Sequence, residues 1–166
     1  MDFPPPANQQ NPYQRGLAVE PNFQVNIHTM KILVYIWTSP NSLVGLCVGG
    51  VGLVTGGGVQ HKRGCLEFYG GLVSWFLRRI GGHGVLAMTL GHTILGQNAD
   101  ALQVARDHEH VHVRQYERWG PLFIPAYLIC SAVLWFQKKD CYRDNPFEIE
   151  AYGSADPYRG IRDVAE

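Results

Sequence analysis

His108-Glu109-His110-Val111-His112 lies inside a stretch, Asp100 to Trp119, whose apolar and aromatic positions return every three or four residues. That period predicts a helix, and on a helix the spacing of the outer histidines sets His108 and His112 one turn apart on one face. Asp100, with Gln103 three positions on, reads as the N-cap and Gly120-Pro121 as the stop, giving a helix of about five turns. The inward stripe is predicted to run through Ala101, Val104, Ala105, His108, Val111, His112, Gln115 and Trp119. His110, rotated about 200° from His108, faces away from it.

The pattern H-E-x-x-H carries a specific chemistry. Two imidazoles so spaced can reach a single tetrahedral Zn²⁺ at about 2.0–2.1 Å, and the carboxylate beside the first can take a proton from an attacking water. Zn²⁺ is therefore the expected cofactor, with His108 and His112 as ligands and Glu109 as catalytic base. A hydrolytic zinc site uses three protein ligands and leaves a fourth position open, so a further donor is needed. Downstream, Asn145 as N-cap and Pro146 as first helical residue start a short helix that Gly153 is expected to end. That helix offers Glu148 and Glu150. The spacing Asn145-x-x-Glu148 also suits a capping box, in which Glu148 bonds back to its own helix start.

In this combination the residues resemble the gluzincin metallopeptidases, where an H-E-x-x-H helix is followed, after an intervening helix, by one carrying a glutamate ligand. Phe147-Glu148-Ile149-Glu150-Ala151 is similar to the E-x-x-A-D element of the HtpX-type and CAAX-prenyl-protease-type membrane metallopeptidases. There the first Glu binds zinc, so the resemblance implies Glu148 as third ligand, with Glu150 the alternative. It covers about residues 84 to 153 and departs at Tyr152, where the family has Asp. It implies zinc-dependent hydrolysis of a peptide or protein substrate that pairs with an edge strand. Gly84 to Gly96 reads as that strand, entering the His108 helix through a polar turn. His92 on it, Tyr116 and Tyr152 are possible oxyanion donors, or packing residues with a satisfied polar end. Gln115 is the residue expected to orient a ligating histidine.

The rest of the chain bounds this reading. Its 166 residues are 46% hydrophobic and 17% charged with zero net charge, and Lys62-Arg63 and Arg78-Arg79 are too short for a phosphate-binding patch, so no nucleic-acid partner is expected. The four cysteines lack C-x-x-C spacing. Residues 1–28, rich in Pro, Gln and Asn, read as a disordered arm with no apolar core of a cleavable signal peptide, and 154–166 as a polar tail. One domain, 29–153, remains.

Within it, apolar segments 43–59 and 121–136 approach the roughly 20 residues that span a bilayer. A spanning 121–136 would part Glu148 from the histidines. The three-ligand site therefore predicts a core, in-plane or re-entrant helix there, in a protein either membrane-associated or cytoplasmic. Cys65–Tyr69 reads as a strand and Leu72–Ile80 as a short helix or second strand. The expected fold is α+β: a small antiparallel sheet of two to four strands on the H-E-x-x-H helix and an antiparallel partner, minimal and zincin-like. The alternative function is a noncatalytic membrane-associated protein in which zinc, closed by a fourth ligand such as Glu150 or His92, staples two helices.

Overall fold

The computed structural model describes residues 27–80 and 85–155. The arm and tail read at the two ends lie outside these residues, apart from Ile27-His28 and Ser154-Ala155, which are helical. In chain order the elements are α1 (Ile27–Val54), β1 (Gly58–Lys62), β2 (Cys65–Tyr69), α2 (Gly71–Ile80), β3 (Ala87–Leu90), β4 (Thr93–Gly96), α3 (Ala99–Trp119), α4 (Phe123–Phe136) and α5 (Pro146–Ala155). The fold is α+β.

Its sheet is mixed, where an antiparallel one was expected. The strand order is β1-β2-β4-β3, with antiparallel pairs at both ends and a parallel β2–β4 pair in the middle, Glu67 opposite Ile94. The cause is α2, which carries the chain away from β2 and allows β4 to return in the same direction, as a parallel pair requires. The single strand read at Gly84–Gly96 is a hairpin. Gly91, at φ +63°, makes its turn against Ser42 of α1, where a Cβ would collide with the serine. β3 is thereby the sheet edge beside α3.

Side chains alternate across the sheet and build a core on each face. Cys65, Ala87 and Ile94 pack with Leu102 and Val113 of α3. Phe68 and Leu95 pack with Val73 and Leu77 of α2 and with Val48 of α1. The layers therefore run α1 with α2, sheet, α3.

α1 reaches well beyond the apolar segment 43–59, and Gly58 and Val59 of that segment already belong to β1. Pro40 is accommodated inside the helix: it cannot donate to Ile36, and the Ser39 hydroxyl supplies a hydrogen bond to that carbonyl at 2.7 Å. α3 is capped by Asn98, whose Oδ1 accepts from Ala101 N at 2.7 Å, so the expected cap Asp100 sits in the first turn. Its buried face also differs from the predicted stripe. Val104 and Trp119 are exposed, while Leu102, Val113 and Tyr116 are buried. α3 is gripped on two sides, by the sheet and by α4 with α5, so its buried surface is wider than one stripe.

Two helical runs, Thr29–Val54 and Ala99–Phe136, are long and apolar enough by length and composition to cross a membrane. The second is not a straight rod. His112 and Phe123 would stand about 16 Å apart along a continuous helix, yet their rings are 6.2 Å apart. The turn is made by Gly120–Leu122, where Gly120 at φ +54° lies against Trp37 and its carbonyl accepts from Asn41 at 3.2 Å. α4 thus folds back along α3 and brings α5 to the histidines.

Candidate metal centre

Four elements converge at the middle of α3. α3 supplies His108, Glu109 and His112, α5 supplies Glu148, β3 supplies Thr89 and α4 supplies Tyr127. Asn145 caps α5 by accepting from Phe147 N at 3.1 Å, and its side-chain amide donates to Tyr127 O and Ser131 Oγ, which ties the start of α5 to α4. Glu148 makes no capping-box bond, since Asn145 N donates to Tyr142 O. Its carboxylate turns inward. α5 runs on past Gly153, the expected stop, to Ala155.

His108 Nε2 lies 3.1 Å from His112 Nε2 and 3.3 Å from Glu148 Oε2, and His112 Nε2 lies 3.5 Å from Glu148 Oε1. Two ligands each about 2.0–2.1 Å from a tetrahedral ion stand about 3.3 Å apart. The three separations bracket that figure. Among the described residues these side chains form a group whose donor atoms all lie within 4.8 Å of one another, as a metal site requires.

The protonation of His112 follows from its neighbour. Gln115 Nε2 donates to Phe147 O at 3.0 Å and to Glu150 Oε2 at 2.9 Å, so its Oε1 is the atom facing His112 Nδ1 at 2.8 Å. Nδ1 therefore carries the hydrogen, and in the neutral ring the Nε2 lone pair points into the cluster. Glu148 is oriented by the Tyr127 hydroxyl, which donates to its Oε1 at 2.9 Å. Its Oε2 is buried without a hydrogen-bond partner, as is Nδ1 of His108. A buried carboxylate oxygen left in that state calls for a cation.

Glu109 stands beside this group. It is buried, lines the same cavity, and accepts from the Thr89 hydroxyl at 2.7 Å. Burial raises its pKa, against the pull of His112, Thr89 and His108. Burial works against charge on His112 too, yet Glu148 and Glu109 bring its pKa above the ordinary value. For Glu148 burial is likewise opposed, and the nearby imidazoles of His108 and His112 hold the carboxylate down to about 2. Two carboxylates around two imidazoles make a pocket that attracts positive charge.

The other site residues named from sequence are dispersed. Glu150 points away from the imidazoles, to Gln115 and to Arg118 Nη2 at 3.2 Å. His92 is not on the site. It sits in the β3–β4 turn between Thr38 Oγ1, 2.9 Å from Nδ1, and Glu117 Oε1, 3.1 Å from Nε2, and lines a different cavity against α1. Tyr116 is buried against Phe123 and borders the site cavity. Tyr152 is half-exposed, its ring 4.6 Å from that of His108 and its hydroxyl 3.3 Å from that of Tyr142. His110 faces the other side of α3, where burial and Arg63 lower its pKa.

Thr89, Tyr127 and Tyr142 are site residues that sequence reasoning missed. Tyr127 had a signal, a single hydroxyl-bearing aromatic in the apolar run 121–136. Thr89 had only its place in the strand expected beside the site. The cavity they share is about 270 Å³ and is walled largely by apolar side chains, among them Val85, Met88, Leu90, Phe123, Ile124 and Leu128.

Comparison with protein-family models, with curated proteins and with solved structures finds no match to this chain. The likeness to gluzincins is therefore carried by the motif and by the His108, His112 and Glu148 group alone.

Proposed function

We propose that this protein is a zinc-dependent metallopeptidase. The observation that carries the reading is the set of three donor separations, 3.1, 3.3 and 3.5 Å, which fits one tetrahedral zinc with a position to spare. Glu150 and His92, the candidates for a fourth protein ligand, both lie elsewhere, which favours an open site over a closed structural one.

His108, His112 and Glu148 would hold the ion, and bound zinc supplies polarisation of the scissile carbonyl and acidification of the attacking water. Glu109 takes the water's proton on its carboxylate, whose other demand is the hydrogen bond from Thr89. It then returns that proton to the leaving amine. Gln115 keeps His112 in the ligating tautomer, and Tyr127 holds Glu148 in place. β3, a sheet edge bordering the same cavity, offers backbone groups with which an extended peptide can pair. The apolar wall suits substrates with large apolar side chains near the cleaved bond. We place this activity at a membrane, a setting supported by the two long apolar helical runs.

The test is hydrolysis of unfolded protein substrates and peptide mixtures by zinc-loaded wild type and by Glu109→Gln. General bases contribute about 10²- to 10⁴-fold, so activity should fall by that factor while bound zinc is unchanged. Equal activity in the two proteins refutes the mechanism.

A further inference from the structure

α1 is built inside out. Its inward stripe is small or polar and buried: Thr38 meets His92 of the β3–β4 turn, Asn41 the Gly120 carbonyl between α3 and α4, Gly45 Thr93 and Leu90, Gly49 Phe68 and Gly52 Val73. Its outward face is large and apolar: Ile32, Leu33, Ile36, Leu43, Val44 and Val51 are all exposed. In water the helix would present the opposite pattern, because burying the large side chains is what stabilises a surface helix. Small residues toward the protein and large apolar ones outward is the arrangement of helices whose outer medium is lipid.

Charge follows the same division. No Asp, Glu, Lys or Arg occurs from Ile32 to His61, and the run is bounded by Lys31 and Lys62. Both lie at one end of α1, since the Tyr35 hydroxyl reaches Gly64 O, beside Lys62, at 3.4 Å. Across the sheet, the outward residues of α3 include Asp107, Arg114, Glu117 and Arg118, beside exposed Val104 and Trp119. The outer face of α1 thus carries no charge between Lys31 and Lys62, whereas α3 turns charges outward.

The layering also sets the orientation. α1 is about 42 Å long, enough to cross a bilayer core of about 30 Å. Its inner side, however, is covered from Thr38 to Gly52 by the β3–β4 turn, the α3–α4 turn, the sheet and α2. Standing upright, it would carry the open edges of β1 and β3 and the charged face of α3 to hydrocarbon depth, where unpaired backbone and solvated charge are both costly. Lying flat avoids this, with the outer face of α1 in lipid and α3 in water.

We infer that the outer face of α1 is a lipid-docking surface that lies in the plane of one leaflet and does not cross the bilayer. This rests on the membrane setting proposed above, and it adds the surface and its orientation. It is independent of the zinc chemistry.

The experiment is flotation of the full chain, after removal of detergent, with vesicles of phosphatidylcholine and phosphatidylglycerol. Wild type should float. Leu43→Glu with Val51→Glu should lower the floated fraction by at least about tenfold while zinc content and helicity stay at the wild-type level. Lys31→Cys and Thr55→Cys, in a background with Cys47, Cys130 and Cys141 changed to Ser, should both react with an impermeant maleimide outside sealed vesicles. Labelling of only one end means that α1 spans, and it overturns the orientation. A charged variant that floats like wild type overturns the surface. A wild type that stays in solution as a defined dimer assigns the face to a second copy and removes the membrane setting itself, whereas loss of peptidase activity alone touches neither.

Discussion

Changing Gln115 to Leu should weaken zinc binding by a calculable amount. The amide is fully buried and makes three hydrogen bonds, to His112 Nδ1, Phe147 O and Glu150 Oε2. Loss of the acceptor frees the His112 ring to rotate and to change tautomer, and removal of such a partner typically costs about 10- to 100-fold in metal affinity. At 25 °C that is about 1.4–2.8 kcal/mol. Leucine also removes the bond donated to the Phe147 carbonyl, which the α5 ladder still pairs, at about 0.5–1.5 kcal/mol of folding stability. The two effects separate in the assay. Zinc affinity is measured by competition with a chromophoric chelator, and stability by urea denaturation of the metal-free protein. Gln115→Glu is the control: it keeps an acceptor for Nδ1 and loses both donated bonds, so stability should fall while zinc affinity stays within a few-fold of wild type. Equal loss of zinc affinity in both variants, or none in Gln115→Leu, refutes the tautomer argument.

Burial pushes the Cys65 thiol up to about 11 from 9.0, aided by Glu117 and Glu67. Its thiolate fraction at pH 8 is then about 100-fold below that of an ordinary cysteine, so iodoacetamide should modify buried Cys65 only on unfolding, as peptide mass mapping would show. Arg106 donates to fully buried Glu67 from Nε at 2.9 Å and Nη2 at 3.0 Å. Arg106→Met leaves that carboxylate supported only by Gln60 and should cost about 3–5 kcal/mol of stability in denaturant titration, against little change for a double variant that also carries Glu67→Leu. Gly120→Ala adds a Cβ that meets Trp37 at a positive φ and should destabilise by about 1–3 kcal/mol, read as a lowered Tm.

What was legible in the sequence had short-range causes. Four-residue spacing put His108 and His112 on one helical face, and Asn145-Pro146 announced the start of α5, because caps and helix periods are local. β2 at Cys65–Tyr69 was visible for the same reason. The turn at Gly91-His92 was hidden within an apolar run, and its requirement for glycine comes from Ser42, distant in sequence. The parallel β2–β4 pair depends on how α2 crosses over, and no residue of either strand encodes it. Asn98 displaced Asp100 as a cap by two residues. Tyr127 lay unseen because its partner Glu148 is 21 positions away on another helix. Apolar segments 43–59 and 121–136 were visible as composition. That α1 turns its glycines inward, and that α4 folds back at Gly120, emerged only from packing.

The most direct test of the central claim is zinc content by elemental analysis of wild type, His108→Ala, Glu148→Ala and Glu150→Ala, each purified without added metal or chelator. The account predicts about one zinc per chain in wild type and in Glu150→Ala, and its loss in His108→Ala and Glu148→Ala. A folded wild type without zinc, or zinc that survives Glu148→Ala and disappears in Glu150→Ala, would contradict it.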